Sequence, residues 1–290
     1  MDGHDADCKE ANANARLACS LIHSILRVNQ NLPQVDLCGM TLDSVGADKL
    51  LDHVFASLSR GKGLWVVTAN LDFVRRFVKD PAARSLYSDA DVRVADGMPL
   101  VWASHLQGTP LPERVAGASL IRPLCRRAAE GGWRVYLLGG EPVAAKAAAD
   151  KLVAEFPKLQ LAGLSSPWVG APPTQAELDD VTATLEQSRP DVVLVALGSP
   201  KQELLIRALR ERMPHVCWIG VGASLSFISG HLRRAPVLVQ KLGLEWVHRL
   251  WQEPKRLFRR YVLEDLPFAA VLFSRAVAAR LAAPAHRPGT

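Results

Sequence analysis

The chain has 290 residues, 49% of them hydrophobic, which is enough for one large core or two subdomains. Lys and Arg outnumber Asp and Glu by 35 to 29, and a formal charge of +6 suits an anionic partner such as a nucleotide sugar, a lipid diphosphate or a membrane face. The five cysteines, Cys8, Cys19, Cys38, Cys125 and Cys217, form no C-x-x-C pair and are odd in number, which argues against a zinc site and a disulfide framework and fits a reducing cytoplasm.

Residues 1–34 read as a poorly ordered leader or a loose helix, without the basic start and apolar run of a signal peptide. Val35–Leu42 alternates like one strand, and a helix is expected from Thr41–Ser44, with Ser44 as its cap, to about Ser59. The apolar run from Trp65 ends in Thr68-Ala-Asn70-Leu-Asp72 and is followed by one helical stretch from Phe73 to about Ser88. A short strand, Asp91–Ala95, then ends on Asp96-Gly97. Apolar strands that finish in a hydroxyl, an amide and a carboxylate are how an α/β protein builds a site at a sheet's carboxyl edge. Asn70 and Asp96 serve equally well as ordinary caps or turn formers. Met98–Leu106 and Ser119–Glu130 read as helices, the second ended by Gly131-Gly132.

Repeated strand–helix units follow. Strands are expected at Trp133–Leu138, Leu159–Leu164, Asp191–Leu197 and Val216–Gly222, with helices at Pro142–Phe156, Thr174–Ser188 and from Gly198–Glu203 to Arg212. This alternation implies an α/β fold with a mainly parallel sheet covered by helices on both faces. The core is expected over 35–242, with an N-terminal part at 35–130 and a second part at 131–228. From residue 243 to 290 a helical appendage follows. It carries Lys241 (just before it), Arg249, Lys255, Arg256, Arg259 and Arg260 against only Glu245 and Glu253 up to Arg260, with Trp246, Trp251, Phe258 and Tyr261 interleaved. On charge alone this is also what a solvated helix face looks like. Pro254 fits the first residue of a new helix. The apolar stretch Leu266–Leu281, broken by Arg275 and Arg280, suits either lying on a bilayer or packing on the core.

Several strand ends could carry chemistry. Gly139-Gly140 and Gly198–Glu203 sit where a strand hands over to a helix, so a ligand can approach the main chain and helix-start amides can attract an anion. Neither a G-x-G-x-x-G after a strand nor a G-x-x-x-x-G-K-[ST] is present, which lowers the weight of NAD and ATP chemistry. In Lys201-Gln202-Glu203, Gln202 suits a sugar hydroxyl or a base edge, while Ser199 could cap the helix and Glu203 offset its dipole. Asp96, beside a glycine at a strand end, is the candidate general base, and Arg114 is close enough in sequence to bind phosphate or hold that carboxylate ionised. Asp89-Ala-Asp91 has the form of a metal-binding D-x-D but lies at a helix–strand junction, where acids are common. The eight histidines include no H-x-x-x-H pair, and no G-x-S-x-G elbow is present.

With these residues in place the sequence resembles the WecG/TagA/CpsF family, glycosyltransferase family 26. The matching stretches are Thr68–Asp72, Ala95-Asp96-Gly97-Met-Pro, Glu113–Gly117, Tyr136–Gly140, Leu197–Glu203, Arg234-Ala-Pro236, Gly243–Trp246, Arg249, Glu253-Pro254 and Arg256. The resemblance implies a Rossmann-like core and transfer of a sugar from a UDP-sugar to a polyprenyl-diphosphate-linked acceptor, with inversion and without a metal or other cofactor. It implies work at the inner face of the cell membrane, in exopolysaccharide, surface antigen or wall polymer biosynthesis. By motif position it makes Asp96 the base and puts Thr68, Asn70, Arg114 and Gln202 in the pocket. It brings Arg249, Arg256 and Arg259 from the appendage to meet diphosphate. With the strand-end residues Gly139, Gly140, Lys201 and Glu203 these form the expected substrate site, with no metal ligand among them. A UDP-sugar or lipid-diphosphate binding protein docked on the membrane is the alternative. A nucleic-acid partner is not expected, since the basic charge is local. A homo-oligomer stays open.

Overall fold

A computed structural model describes residues 32–282. The leader expected over 1–34 therefore lies almost wholly outside the described residues.

The segment expected as one strand is a hairpin, β1 (Gln34–Leu37) and β2 (Met40–Asp43), paired antiparallel. Cys38 and Gly39 turn it, with φ of 58° and 87°. That left-handed pair is what a two-residue hairpin loop requires. Asp36 accepts from the Gly39 amide at 2.8 Å and holds the turn. Because β2 runs to Asp43, the next helix starts later than expected, as α1 (Ala47–Leu58), and Ser44 does not cap it. Glu113, remote in sequence, accepts from the Ala47 amide at 2.6 Å instead.

After β3 (Trp65–Ala69) the expected single helix is two, α2 (Leu71–Lys79) and α3 (Pro81–Ser88). Pro81 pushes Asp80 into extended backbone, and Asp80 then caps α3 by accepting from the Ala82 amide. The chain continues through β4 (Val92–Ala95), α4 (Met98–Gln107), α5 (Gly117–Gly131), β5 (Arg134–Gly139), α6 (Pro142–Glu155), β6 (Gln160–Ser165), α7 (Gln175–Ser188), β7 (Val192–Ala196), α8 (Lys201–Arg210) and β8 (Cys217–Gly220). The helix expected from Thr174 has Thr174 as its cap, in a reciprocal capping box with Glu177.

Six strands form one parallel sheet in the order β4-β3-β8-β7-β5-β6. The period-2 alternation of the strands divides the core between its faces. Trp65, Val67, Tyr136, Val193 and Trp218 pack with α2, α3, α7, α8 and the hairpin. Val66, Val94, Leu137, Leu194 and Ile219 pack with α1, α5 and α6 on the other face. Chain crossovers leave β3 toward one edge, at β4, and β5 toward the other, at β6. A crevice opens at the carboxyl ends between such diverging connections.

Beyond β8 the described chain is helical: α9 (Ser224–Ser229), α10 (Val237–Lys241), α11 (Glu245–Gln252), α12 (Pro254–Phe258), a π-helical turn at Arg259–Asp265, and α13 (Leu266–Ala282). Pro254 is the first residue of α12, as its missing N–H favours. One face of α13, through Phe268, Leu272 and Ala276, is buried in the core against α4 and α2, while Leu266, Val271, Val277 and Leu281 on the other face are exposed. An ion-pair network ties the π-helical turn to α2. Arg75 bonds Asp72, Glu264 (2.8 Å) and Asp265 (3.1 Å), and Arg76 bonds Asp72 at 2.9 Å. Among the described residues no helix is long and apolar enough to cross a membrane.

Candidate active site

Parallel pairing puts every strand's last residue at one edge, so Asn70, Asp96, Gly139, Leu197 and Val221 all begin the loops of a single face. Asp96 follows β4, and its amide donates to the Ala69 carbonyl at 2.6 Å, which locks it against the end of β3. The Gly117 amide, at the start of α5, favours the charged form of the Asp96 carboxyl, and the N-cap of that helix, Ala116, offers no side-chain oxygen. A helix start is a favourable place for a negative charge. Burial acts the other way and is larger. It lifts the Asp96 carboxyl to about 6, with Glu245 adding to the rise while Arg114, the Gly117 amide and Arg249 oppose it.

Neighbours then connect the pocket residues one by one. A Cβ on Gly117 would lie 3.5 Å from the Thr68 hydroxyl and 3.5 Å from Val221, so Thr68 and Asp96 share Gly117 as a wall. The Thr68 hydroxyl donates to the Gly220 carbonyl at 3.4 Å. Gln202 reaches the same strand end, where its Oε1 accepts from the Gly222 amide at 3.1 Å. Its Nε2 donates to Glu203 at 2.6 Å. Both ends of the Gln202 amide are thus engaged inside the protein, beneath the glycine turn. Asn70 caps α2, accepting from the Phe73 amide at 3.3 Å. Ser199, by contrast, does not cap α8. Pro200 holds the N-cap position, and the Ser199 hydroxyl lies 3.4 Å from that of Tyr87.

Glu203 is only 1% exposed, so it sits under Gln202 rather than at the surface, and burial pushes its carboxyl up. Lys201 holds its ammonium 5.2 Å from the centre of the Trp168 ring, which stands 76% exposed on the loop after β6. Gly139 and Gly140 have φ of 94° and 85°, and a Cβ on Gly139 would meet Leu197 at 2.7 Å. Four inter-strand steps of ~4.8 Å separate the ends of β4 and β5. The glycines, Lys201 and Trp168 therefore make a second cluster along the edge, apart from Asp96.

The appendage closes the Asp96 end. Arg114 pairs with Glu245 of α11 at 2.7 Å, and Arg249 lies over the Phe227 ring at 5.4 Å. The Nε atoms of Arg234 and Arg249 are buried without a hydrogen-bond partner. Arg256 and Arg259 are placed differently. They are exposed on the outside of the appendage, paired with Glu253 at 2.5 Å and Glu264 at 3.3 Å. Sequence reasoning assigned no part to Glu245 or Arg234. The available signal was that Glu245 is one of two acids in a basic run. Asp89 and Asp91 lie at the opposite, amino-terminal edge, where Asp91 accepts from the Trp65 amide at 2.7 Å and pairs with Arg210 at 2.8 Å.

A parallel sheet whose carboxyl edge carries a buried carboxyl of raised pKa, with Arg114 and Arg249 among the charges acting on it, has the layout of an α/β enzyme that acts on anionic substrates. Residues 35–282 match the model of the Glycosyl transferase WecG/TagA/CpsF family, and the chain belongs to that family; it is a glycosyltransferase. It is similar to the N-acetylglucosaminyldiphosphoundecaprenol N-acetyl-beta-D-mannosaminyltransferase of Bacillus spizizenii, with 33% identity over 221 residues that cover 76% of this chain and 84% of that protein.

Proposed function

We propose that the protein moves an N-acetylhexosamine, or a related hexose or uronate, from a UDP-sugar to a saccharide carried on polyprenyl diphosphate, with inversion. The similarity to the Bacillus spizizenii enzyme supports a diphosphoundecaprenol-linked N-acetylglucosamine as acceptor and N-acetylmannosamine as the transferred sugar. The observation that carries the proposal is Asp96: a carboxyl lifted to about 6, held beside Arg114 and Arg249 at the carboxyl edge. At neutral pH it is ionised yet basic enough to take a proton from an incoming hydroxyl.

Asp96 removes the acceptor hydroxyl's proton as the oxygen attacks the anomeric carbon, and the bond to UDP breaks on the opposite face. Arg114 and Arg249, supported by Arg234, meet the charge that develops on the leaving diphosphate, so catalysis does not call on a metal. Thr68 and the Gly220–Gly222 turn, held by Gln202, shape the floor. Gly139, Gly140 and Lys201 take the nucleoside end, and Asn70 orients the acceptor. Arg256 and Arg259, with the exposed Trp251, Phe258 and Leu263, face the lipid diphosphate at the inner surface of the cell membrane. The same proposal divides the chain into a core at 35–242 and an appendage at 243–290 that completes the site.

The test is transfer from radiolabelled UDP-sugars to a lipid-diphosphate acceptor, run over a donor panel, with and without EDTA and with Asp96→Ala. Expected are one preferred donor, no loss in EDTA and a dead variant. Wild-type turnover by Asp96→Ala removes Asp96 from its role, and UDP binding without any turnover would leave a binding protein.

A further inference from the structure

Glu245 is the first residue of α11, and it carries a negative charge in among the arginines Arg114, Arg234 and Arg249. Its Oε2 lies 2.7 Å from Arg114 Nη1, and its Oε1 lies 3.8 Å from Arg234 Nε. Arg234 in turn donates to the Ser119 hydroxyl at 2.6 Å. The Arg114–Glu245 pair is mostly buried, the side chains being 16% and 17% exposed. An exposed ion pair contributes little, whereas removing one partner of a shielded pair leaves an uncompensated charge in a poor solvent. The pair joins the loop before α5 to the first turn of α11.

We propose that Glu245 is a positioning residue for sugar transfer: it holds the Arg114 guanidinium in place beside Asp96. The proposal rests on Asp96 acting as the base. The Val115 amide donates to the Ala95 carbonyl at 2.8 Å, which sets the Arg114 loop against the end of β4 beside Asp96. The groups whose charge acts on Asp96 are Arg114, the Gly117 amide of α5, and Glu245 and Arg249 of α11. Of these, Glu245 is the one that opposes ionisation. Without its charge Asp96 loses a repulsion, and Arg114 is no longer neutralised. Both changes make Asp96 a weaker base.

The experiment compares kcat and kcat/KM against pH for the full-length wild type, Glu245→Gln and Glu245→Asp. Glu245→Gln, close in shape but uncharged, is expected to move the acid limb of kcat/KM down by about one unit. It is expected to lower kcat at pH 8 about tenfold, with a smaller change in KM. Glu245→Asp keeps the charge on a shorter stem and is expected to retain the wild-type limb with a reduced kcat. A Glu245→Gln enzyme with the wild-type limb overturns the proposal, whether or not kcat has fallen, since a merely structural contact would lower rates without moving the limb. If Glu245→Gln does not fold, an unchanged kcat in Glu245→Asp overturns it. Asp96→Ala run in parallel separates the two levels: full turnover there removes the base and this inference with it. An inactive Asp96→Ala beside an unmoved limb in Glu245→Gln removes the role of Glu245 alone.

Discussion

Replacing Asp96 by Asn is expected to stabilise the protein while abolishing its activity. The carboxyl sits at about 6 against an ordinary 3.8, so the folded state holds this proton more tightly than the unfolded chain does. The group's favourable contribution is complete below about pH 4 and is lost as pH rises through about 6. A shift of about 2 units corresponds to roughly 3 kcal/mol, and some solvent access at Asp96 lowers this to about 2 kcal/mol at pH 8. Asn carries no charge at any pH, so the variant escapes the loss. For a chain of this size ~2 kcal/mol raises Tm by about 4–8 °C. The assay is thermal unfolding of wild type and Asp96→Asn at pH 8 and at pH 4, with transfer measured at pH 8. The Tm gap should be present at pH 8 and nearly closed at pH 4, while the rate falls at least about a hundredfold. A variant no more stable than wild type at pH 8 would refute the claim that burial, rather than the neighbouring cations, governs this carboxyl.

Arg249→Ala is expected to lower kcat about a hundredfold, on the order of 3 kcal/mol of transition-state stabilisation. Arg256→Ala and Arg259→Ala, which remove exposed side chains with local partners, should cost less than about tenfold. Initial rates on a lipid-diphosphate acceptor decide, and a reversed order would mean that the appendage rearranges for catalysis. Arg75→Met leaves Asp72 and Asp265 buried with fewer cations and should cost about 3 kcal/mol in urea unfolding, with faster proteolysis near residues 259–265. An unchanged midpoint would show that Arg76 and Arg260, whose Nε lies 3.8 Å from Asp72 and 3.7 Å from Asp265, suffice. Gly139→Ala sets a Cβ against Leu197 on left-handed backbone and should cost about 2 kcal/mol by thermal unfolding. A neutral result would mean the β5 end yields easily.

Local chemistry made much of this protein legible from its residues alone. Apolar runs located β3 to β8, and polar residues at strand ends drew attention to Thr68 and Asp96, because parallel strands must project their ends to one edge. The failures were local competitions: Cys38-Gly39 turned a run of alternating residues into a hairpin, and Pro81 split a helix. Only the tertiary structure decided the strand order, the burial that lifts Asp96, and the seating of α13 on α4. It alone brought Glu245 to Arg114, 131 residues away. The physical reason is that periodicity along a chain reports which face of a segment is buried, whereas which segment covers it depends on shape and charge fit between surfaces far apart in sequence.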